Sequence, residues 1–203
     1  DVTVYNRTAE KAEKWAKEHG GASAETPAKA AGGAEIVFSC VGNDDDLRSV
    51  VFVDDGILAG MKEGAILVDH TTASAIAARE VDAKAREQGI GFLDGPVSGG
   101  QTGAKNGQLT IMVGGEQKDF DMAEPVLGAY GRAVLLMGPA GSGQLTKCVN
   151  QICCIGVIQG LAEALSFARK AGLDPRKAID VISEGAAQSW QMDNRADTMI
   201  DGK

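Results

Sequence analysis

Three polar residues interrupt an apolar stretch in the last third of the chain: Lys147, Asn150 and Gln151. On a helix, residues three and four apart lie on one face. An ammonium group and two amides would then look out together. An amine so placed is a general acid and base, and desolvation or a neighbouring cation brings its basicity toward neutrality. The amides would orient a polar substrate. The plainer alternative is a lysine laid along apolar surface at a helix end, with amides capping a neighbour.

A second stretch, Asp94-Gly95-Pro96-Val97-Ser98-Gly99-Gly100, follows a strand pattern. Ser98, Gly99 and Gly100 present backbone N–H groups with little side chain in the way. Such a loop makes a concave anion site for a carboxylate or phosphate; a simple glycine turn is the alternative. A third, Asn6-Arg7-Thr8, follows the first visible strand and contains no acid. In dinucleotide-binding folds the end of the second strand meets the adenosine ribose. An acid there takes the 2′-hydroxyl of NAD, and an arginine takes the 2′-phosphate of NADP. A strand-end arginine serving only solubility is the competing reading.

Metal chemistry has no footing. Cys40, Cys148, Cys153 and Cys154 lie in apolar stretches without ligand spacing, and His19 and His70 are isolated. Their composition predicts buried free thiols of a reducing compartment.

The elements that must position these residues show two periods. Apolar, β-branched runs at Val2–Tyr5, Ile36–Val41, Ala65–Asp69, Phe92–Asp94, Leu109–Val113 and Ala133–Met137 predict strands. Helical patterns lie between most of them: Ala9–His19 with Trp15 on one side, Ala75–Gln88 with Ile76, Val81 and Ala85 near one face, and Gln117–Ala129 with Phe120, Ala123 and Leu127 at helical spacing. Strand and helix in alternation predict an α/β fold, a mainly parallel sheet with helices on both faces. After Gly138-Pro139-Ala140-Gly141-Ser142-Gly143 the pattern changes. Roughly thirty residues to Ala171 predict one helix of about 45 Å. It is apolar on nearly every side, which predicts burial in a core. Asp174-Pro175 starts further helix with a cap and a first-turn proline. The boundary is expected near 139, giving an α/β domain over 1–139 and a helical part over 140–203.

The chain has 203 residues, a net charge of −8 and 27 glycines. An acidic chain with no Lys/Arg block argues against nucleic acid or an anionic membrane surface as partner. The longest apolar run, Ile152–Ile158, has seven residues. A spanning helix needs roughly 20, so a soluble chain is expected. The sequence opens on Asp1 directly before a strand pattern and stops at Asp201-Gly202-Lys203 without a closing element. We therefore expect part of a longer protein.

Taken in order, these stretches resemble the β-hydroxyacid dehydrogenase family, which includes 3-hydroxyisobutyrate dehydrogenase, tartronate semialdehyde reductase and glyoxylate/succinic semialdehyde reductases. That family is related to 6-phosphogluconate dehydrogenase. The resemblance runs along the whole chain. Asp94–Gly100, continuing through Gly103-Ala104, Gly107-Gln108-Leu109 and Met112-Val113-Gly114-Gly115, looks like the family's substrate signature. Gly143-Gln144 with Lys147 and Asn150 looks like its catalytic helix, and Ser189-Trp190 with Asn194-Arg195 like a stretch of one branch.

The resemblance implies a Rossmann-type domain, a long interdomain helix and the start of an all-helical domain. It implies hydride transfer with a nicotinamide cofactor, NADP preferred through Asn6-Arg7-Thr8 and NAD possible. The substrate would be a small 3-hydroxy acid or its semialdehyde, or a glyoxylate-type aldehyde. Lys147 would be the general acid/base, and Ser98, Gly99 and Gly100 would hold the substrate carboxylate. Asn150 and Gln151 would orient it, although many relatives have Asn where this chain has Gln151. Val41-Gly42 stands where relatives often carry Leu-Pro beside the cofactor, and Thr72 where they place Thr or Ser near the nicotinamide. The family's G-x-G-x-x-G loop does not occur before Asp1, so the first βα unit is expected to be missing, as are later helices with part of the dimer interface and a late lysine. A parent chain of roughly 290 residues and two domains follows, as does a cytoplasmic homodimer or homotetramer. The alternatives are a 6-phosphogluconate dehydrogenase-like enzyme and a non-catalytic dinucleotide-binding module. No Lys/Arg cluster for a sugar phosphate is visible, and the presence of Lys147 argues against the second.

Overall fold

Side-chain caps set half of the helix starts. The side chains of Thr26, Asn43, Ser74, Asp174 and Ser189 each accept a backbone N–H two or three residues on, at 2.9–3.2 Å. In the computed structural model, which describes residues 1–203, this punctuation yields β1 (Thr3–Val4), α1 (Ala9–His19), β2 (Ala22–Ser23), α2 (Pro27–Ala31), β3 (Ile36–Ser39), α3 (Asp44–Val51) and α4 (Ile57–Gly60). There follow β4 (Ile66–Asp69), α5 (Ala75–Glu87), β5 (Gly91–Asp94), β6 (Val97–Ser98), α6 (Gly100–Lys105), β7 (Leu109–Gly115), α7 (Gln117–Leu127) and β8 (Gly131–Gly138). The last three helices are α8 (Ser142–Lys170), α9 (Pro175–Ile182) and α10 (Trp190–Ile200). The residues divide into two compact units, Asp1–Lys147 and Cys148–Lys203.

In the first unit β1 and β2 form a parallel pair of their own, and the main sheet runs β3-β4-β5-β7-β6 with β8 on β7. Its register is parallel through β3, β4 and β5 and again from β7 to β8. Strand β7 is antiparallel to both β5 and β6. The sheet is thus mainly parallel but mixed. The short strands β2 and β6 carry too little apolar pattern to be read from sequence.

Alternation along the strands explains why helices cover both faces. Leu67 and Phe92 point to one side, packing with Leu47 and Val51 of α3 and Ala77, Ala78, Val81 and Ala85 of α5. Ile66, Val68 and Leu93 point to the other, with Phe120, Ala123 and Leu127 of α7. Strands buried on both faces read as continuous apolar runs. One residue grouped with Val81 and Ala85 does not share their buried face. Ile76 is exposed, while Ala77 and Ala78 turn inward. Small alanines let α5 lie close to the sheet, and they were the weaker hydrophobic signal.

The second unit corrects a larger expectation. Helix α8 is not buried all round: Ile152 is 73% exposed and Phe167 69%, and Val149 and Ile155 are also exposed. Of its side chains in this unit only the stripe Leu161, Leu165 and Ala168 is buried, with Leu161 and Leu165 packed beside Met192 and Ala196 of α10. Two short helices can cover one face of a long one, so apolarity on the remaining faces does not become burial. The thiols follow suit. All four are free, but Cys40, Cys148 and Cys153 are exposed and Cys154 is intermediate. By length and composition α8 is long and apolar enough to cross a membrane, with a mean hydropathy of 1.5 over its most apolar window. The seven-residue run understated this, because single polar residues break a run without lowering the average much. Its first two turns are nonetheless built into the α/β unit, where Gln144 and Lys147 are buried.

Candidate active site

The candidate site gathers at the carboxyl ends of β3, β4 and β5, where open α/β sheets place their ligands. Asp94 ends β5 and is fully buried. Its Oδ1 accepts the N–H of Gly141 at 2.7 Å and its Oδ2 that of Gln144 at 2.9 Å. The N–H of Gly143 also bonds to it. These are the orphan donors at the start of α8, and a carboxylate there also meets the positive end of the helix dipole. Burial pushes the Asp94 carboxyl up, against the downward pull of those amides. The helix comes close enough that a Cβ on Gly143 would collide with the carbonyl oxygens of Met112 and Asp94. Glycine is required there by close approach. Lys147 follows on this anchored turn and is 8% exposed.

A second buried carboxyl, Asp69, ends β4. Its Oδ1 accepts from Ser39 Oγ at 2.7 Å, Thr71 Oγ1 at 2.6 Å and Thr71 N at 3.2 Å. Its Oδ2 is buried with no partner. Burial therefore wins over the hydrogen bonds, and the carboxyl is pushed up from 3.8 to about 6. Thr71 Oγ1 in turn accepts the Val41 N–H at 3.0 Å, which ties the end of β3 to the end of β4. Linkage gives the sign of the effect. A carboxyl raised in the folded state contributes stability that is complete below its ordinary value and lost as pH rises through about 6. Two pH units correspond to about 3 kcal/mol. In urea unfolding, wild type should lose up to about 3 kcal/mol relative to Asp69→Asn between about pH 4 and pH 7. A difference that stays flat across this range would remove the assignment.

His70 is not isolated. Its Nδ1 lies 2.5 Å from the Gly95 carbonyl oxygen and its Nε2 2.7 Å from the Tyr130 hydroxyl. A carbonyl only accepts, so Nδ1 carries the proton and Nε2 accepts from Tyr130. Burial lowers the imidazole's basicity and keeps it neutral in this role. The ring also stacks on Phe38 at 5.8 Å.

The residues expected to bind cofactor fall into two groups. Arg7 is exposed and pairs with Asp46 of α3 at 3.4 Å. Asn6 Oδ1 accepts the Thr8 N–H at 2.9 Å, turning the chain into α1. Asp46 also accepts from Asn43 Nδ2 and sits against Gly42, where an added Cβ would lie 2.5 Å from its Oδ2. An acid thus does stand beside Arg7, contrary to the sequence expectation. It arrives from 39 positions away, beyond any local pattern. In the other group, Val41 is held by Thr71, and Thr72 follows as an exposed residue.

Ser98 lies on β6 opposite Thr110, Gly99 caps α6 with φ of 129°, and Gly100 opens that helix. Only glycine adopts this φ readily, and the first N–H groups of α6 are left without intrahelical acceptors. Asn150 and Gln151 belong to the second unit, where Asn150 Nδ2 donates to Gln151 Oε1 at 3.0 Å. Sequence reading missed Asp69, Thr71, Asp94 and Gln144 as a connected set. Asp94 and Gln144 were quoted only within motifs, and the pairing that gives them meaning spans 50 positions.

The comparisons with known proteins place the chain among NAD(P)-dependent oxidoreductases. The model of the NAD binding domain of 6-phosphogluconate dehydrogenase matches residues 1–138, and that of the NAD-binding part of NADP-dependent 3-hydroxyisobutyrate dehydrogenase matches 141–203. An uncharacterized oxidoreductase of Shewanella frigidimarina is 62% identical over the whole chain, which covers 70% of that protein. A probable 3-hydroxyisobutyrate dehydrogenase-like mitochondrial protein of Arabidopsis thaliana is 44% identical over 94% of this chain and 63% of its own length. The crystal structure of 3-hydroxyisobutyrate dehydrogenase from Salmonella typhimurium superposes with a TM-score of 0.86 at 29% identity, over 98% of this chain and 70% of that one. The chain belongs to the β-hydroxyacid dehydrogenase family. It spans between 63% and 70% of the length of these relatives.

Proposed function

We propose that the protein interconverts a small 3-hydroxy acid and its semialdehyde, or reduces a glyoxylate-type aldehyde, with Lys147 as general acid/base. The observation that carries this reading is the buried Lys147 on a helix whose first turn is held by the Asp94 carboxylate. Bound NAD(P) supplies the hydride acceptor or donor at C4 of its nicotinamide. In oxidation Lys147 takes the hydroxyl proton as the carbinol hydride departs. In reduction it returns a proton to the carbonyl oxygen. The loop of Ser98, Gly99 and Gly100 holds the substrate carboxylate through backbone N–H groups, so that one carbon faces the nicotinamide. Asn150 and Gln151, one turn further along the helix, are the proposed amide ligands. Val41, Gly42 and Thr72 would line the nicotinamide half of the cofactor. Cytoplasmic residence and a homodimeric or homotetrameric state belong to the same reading.

Asn6, Arg7 and Thr8 support a preference for NADP. Arg7→Ala should weaken NADPH much more than NADH in fluorescence titration; equal losses, or none, would sink the 2′-phosphate assignment. The reaction itself is tested with the full-length protein: NADPH and NADH against glyoxylate and tartronate, succinic and methylmalonate semialdehydes, and NADP and NAD against 6-phosphogluconate. Turnover of at least one of the aldehydes is expected. Turnover of 6-phosphogluconate alone would replace this reading with a sugar-phosphate dehydrogenase. Cofactor binding without any turnover would point to a non-catalytic module.

A further inference from the structure

Gln144 is the one large polar side chain among the fully buried residues, at 1% exposure, and both ends of its amide are used. Its Oε1 accepts the Ala73 N–H at 3.0 Å, and its Nε2 donates to the Thr71 carbonyl oxygen at 2.7 Å. These two peptide groups flank Thr72. The backbone of Gln144 is itself fixed, because its N–H is held by Asp94. Lys147 stands three residues along the same helix, on the same face. One carboxamide therefore grips both sides of Thr72 from a point one turn short of Lys147.

Thr72 is itself exposed and has no burial to place it. The loop position must come from its backbone bonds. Proton and hydride transfer tolerate displacements of only a few tenths of an ångström. We propose that Gln144 is a positioning residue, whose carboxamide sets the Thr72 loop in register with the helix that carries Lys147. This rests on the role proposed above for Lys147. Only a side chain that accepts and donates at once performs this function. A protonated carboxylic acid of the same length does so, and an ionised one loses the bond to Thr71.

The test compares Q144M and Q144E with wild type in the full-length protein. Amide hydrogen exchange at Ala73, without cofactor, reads the clamp directly. Q144M should exchange there at least about tenfold faster, the loss of one protecting hydrogen bond. Steady-state turnover should show kcat lowered at least about tenfold, with KM and cofactor affinity within about threefold, as for an interaction that serves alignment. Q144E should recover both Ala73 protection and kcat as pH falls and its introduced carboxyl protonates, and should lose both as pH rises. The titratable groups around it are Asp94 on β5, Asp69 on β4 through Thr71, and Lys147 on α8 itself. All three remain in wild type, so the ratio of variant to wild type isolates the new carboxyl.

Unchanged Ala73 exchange in Q144M, or a flat Q144E to wild-type ratio across pH, overturns the proposal. Should Q144M fail to fold, Q144E at low pH still decides it. Retained turnover in a Lys147 variant, alongside Ala73 exchange that depends on Gln144, would instead remove the reading of Lys147 and leave the clamp standing.

Discussion

Lys147→Ala should lower kcat by about 10³-fold or more, while NADPH affinity stays within severalfold of wild type. General acid/base groups contribute roughly 10²–10⁴-fold by themselves. A lysine that also stabilises the developing alkoxide contributes at the upper end. Cofactor affinity should survive, because the groups proposed to hold the dinucleotide lie at the ends of β1, β3 and β4 rather than on α8. The clean form of the experiment pairs Lys147→Ala with Lys147→Met. The methionine keeps an apolar stem in a buried position and so separates the loss of the amine from the loss of packing. Steady-state kinetics with whichever semialdehyde is turned over, and NADPH fluorescence titration, read the two quantities. Retention of most of kcat in both variants would take Lys147 out of the mechanism.

The second large effect is on stability. Asp94→Ala should destabilise the α/β unit by about 3–5 kcal/mol, because buried backbone donors left unsatisfied cost about 1–3 kcal/mol each. The N–H groups of Gly141 and Gln144 would lose the only oxygens shown to hold them, in a place closed to water. No other acid is positioned to substitute, since Asp69 is committed to Ser39 and Thr71. Asp94→Asn should cost less, about 1–3 kcal/mol, since one oxygen still accepts while the new amide faces a donor. A urea titration followed by circular dichroism measures both. An Asp94→Ala variant within about 1 kcal/mol of wild type would mean that α8 is anchored by something else. The same variant should also slow turnover, since the turn carrying Gln144 and Lys147 would no longer be fixed to the sheet.

The order of effects follows from where each group sits. Asp69 and Asp94 are both buried carboxyls at adjacent strand ends, and burial pushes both up, but their hydrogen-bond partners differ. Each oxygen of Asp94 is met by a backbone N–H, one just before α8 and one in its first turn, so its removal destabilises. Asp69 has one crowded oxygen and one bare one. Its ionisation near neutral pH therefore weakens the fold rather than supporting it. The exposed pair of Arg7 and Asp46 is in a third situation. Such surface pairs contribute about 0–1 kcal/mol to stability, so Arg7→Ala should leave the fold intact while it tests the proposed 2′-phosphate contact.

Much of the architecture was legible in the chain. The strands at Ile36, Ala65, Leu109 and Ala133 and the helices at Ala9, Gln117 and Ser142 announce themselves by periodicity. The cap at Asp174 and the turn glycines around 138–143 mark the change to helix. These signals are local. A residue's neighbours three or four positions away fix its face, and a cap acts on the next turn. For the same reason the sequence placed Lys147 on a helix with Asn150 and Gln151, and placed Ser98, Gly99 and Gly100 after a strand.

What only the tertiary structure decided depends on residues far apart in the chain. The apolar residues of α8 are alike in sequence, but only the stripe from Leu161 to Ala168 finds a neighbour, so burial was not readable from apolarity. Asp46 reaches Arg7 across 39 positions, and Gln144 reaches Thr71 across 73. His70 meets Tyr130 across 60. Burial and hydrogen bonding are properties of pairs, and a pair has no signature until the chain is folded. The sequence by itself determined most of the longer elements and which side chains could do chemistry. The fold decided which carboxyl anchors the helix, which one resists ionisation, and which amide bonds both peptide groups beside Thr72.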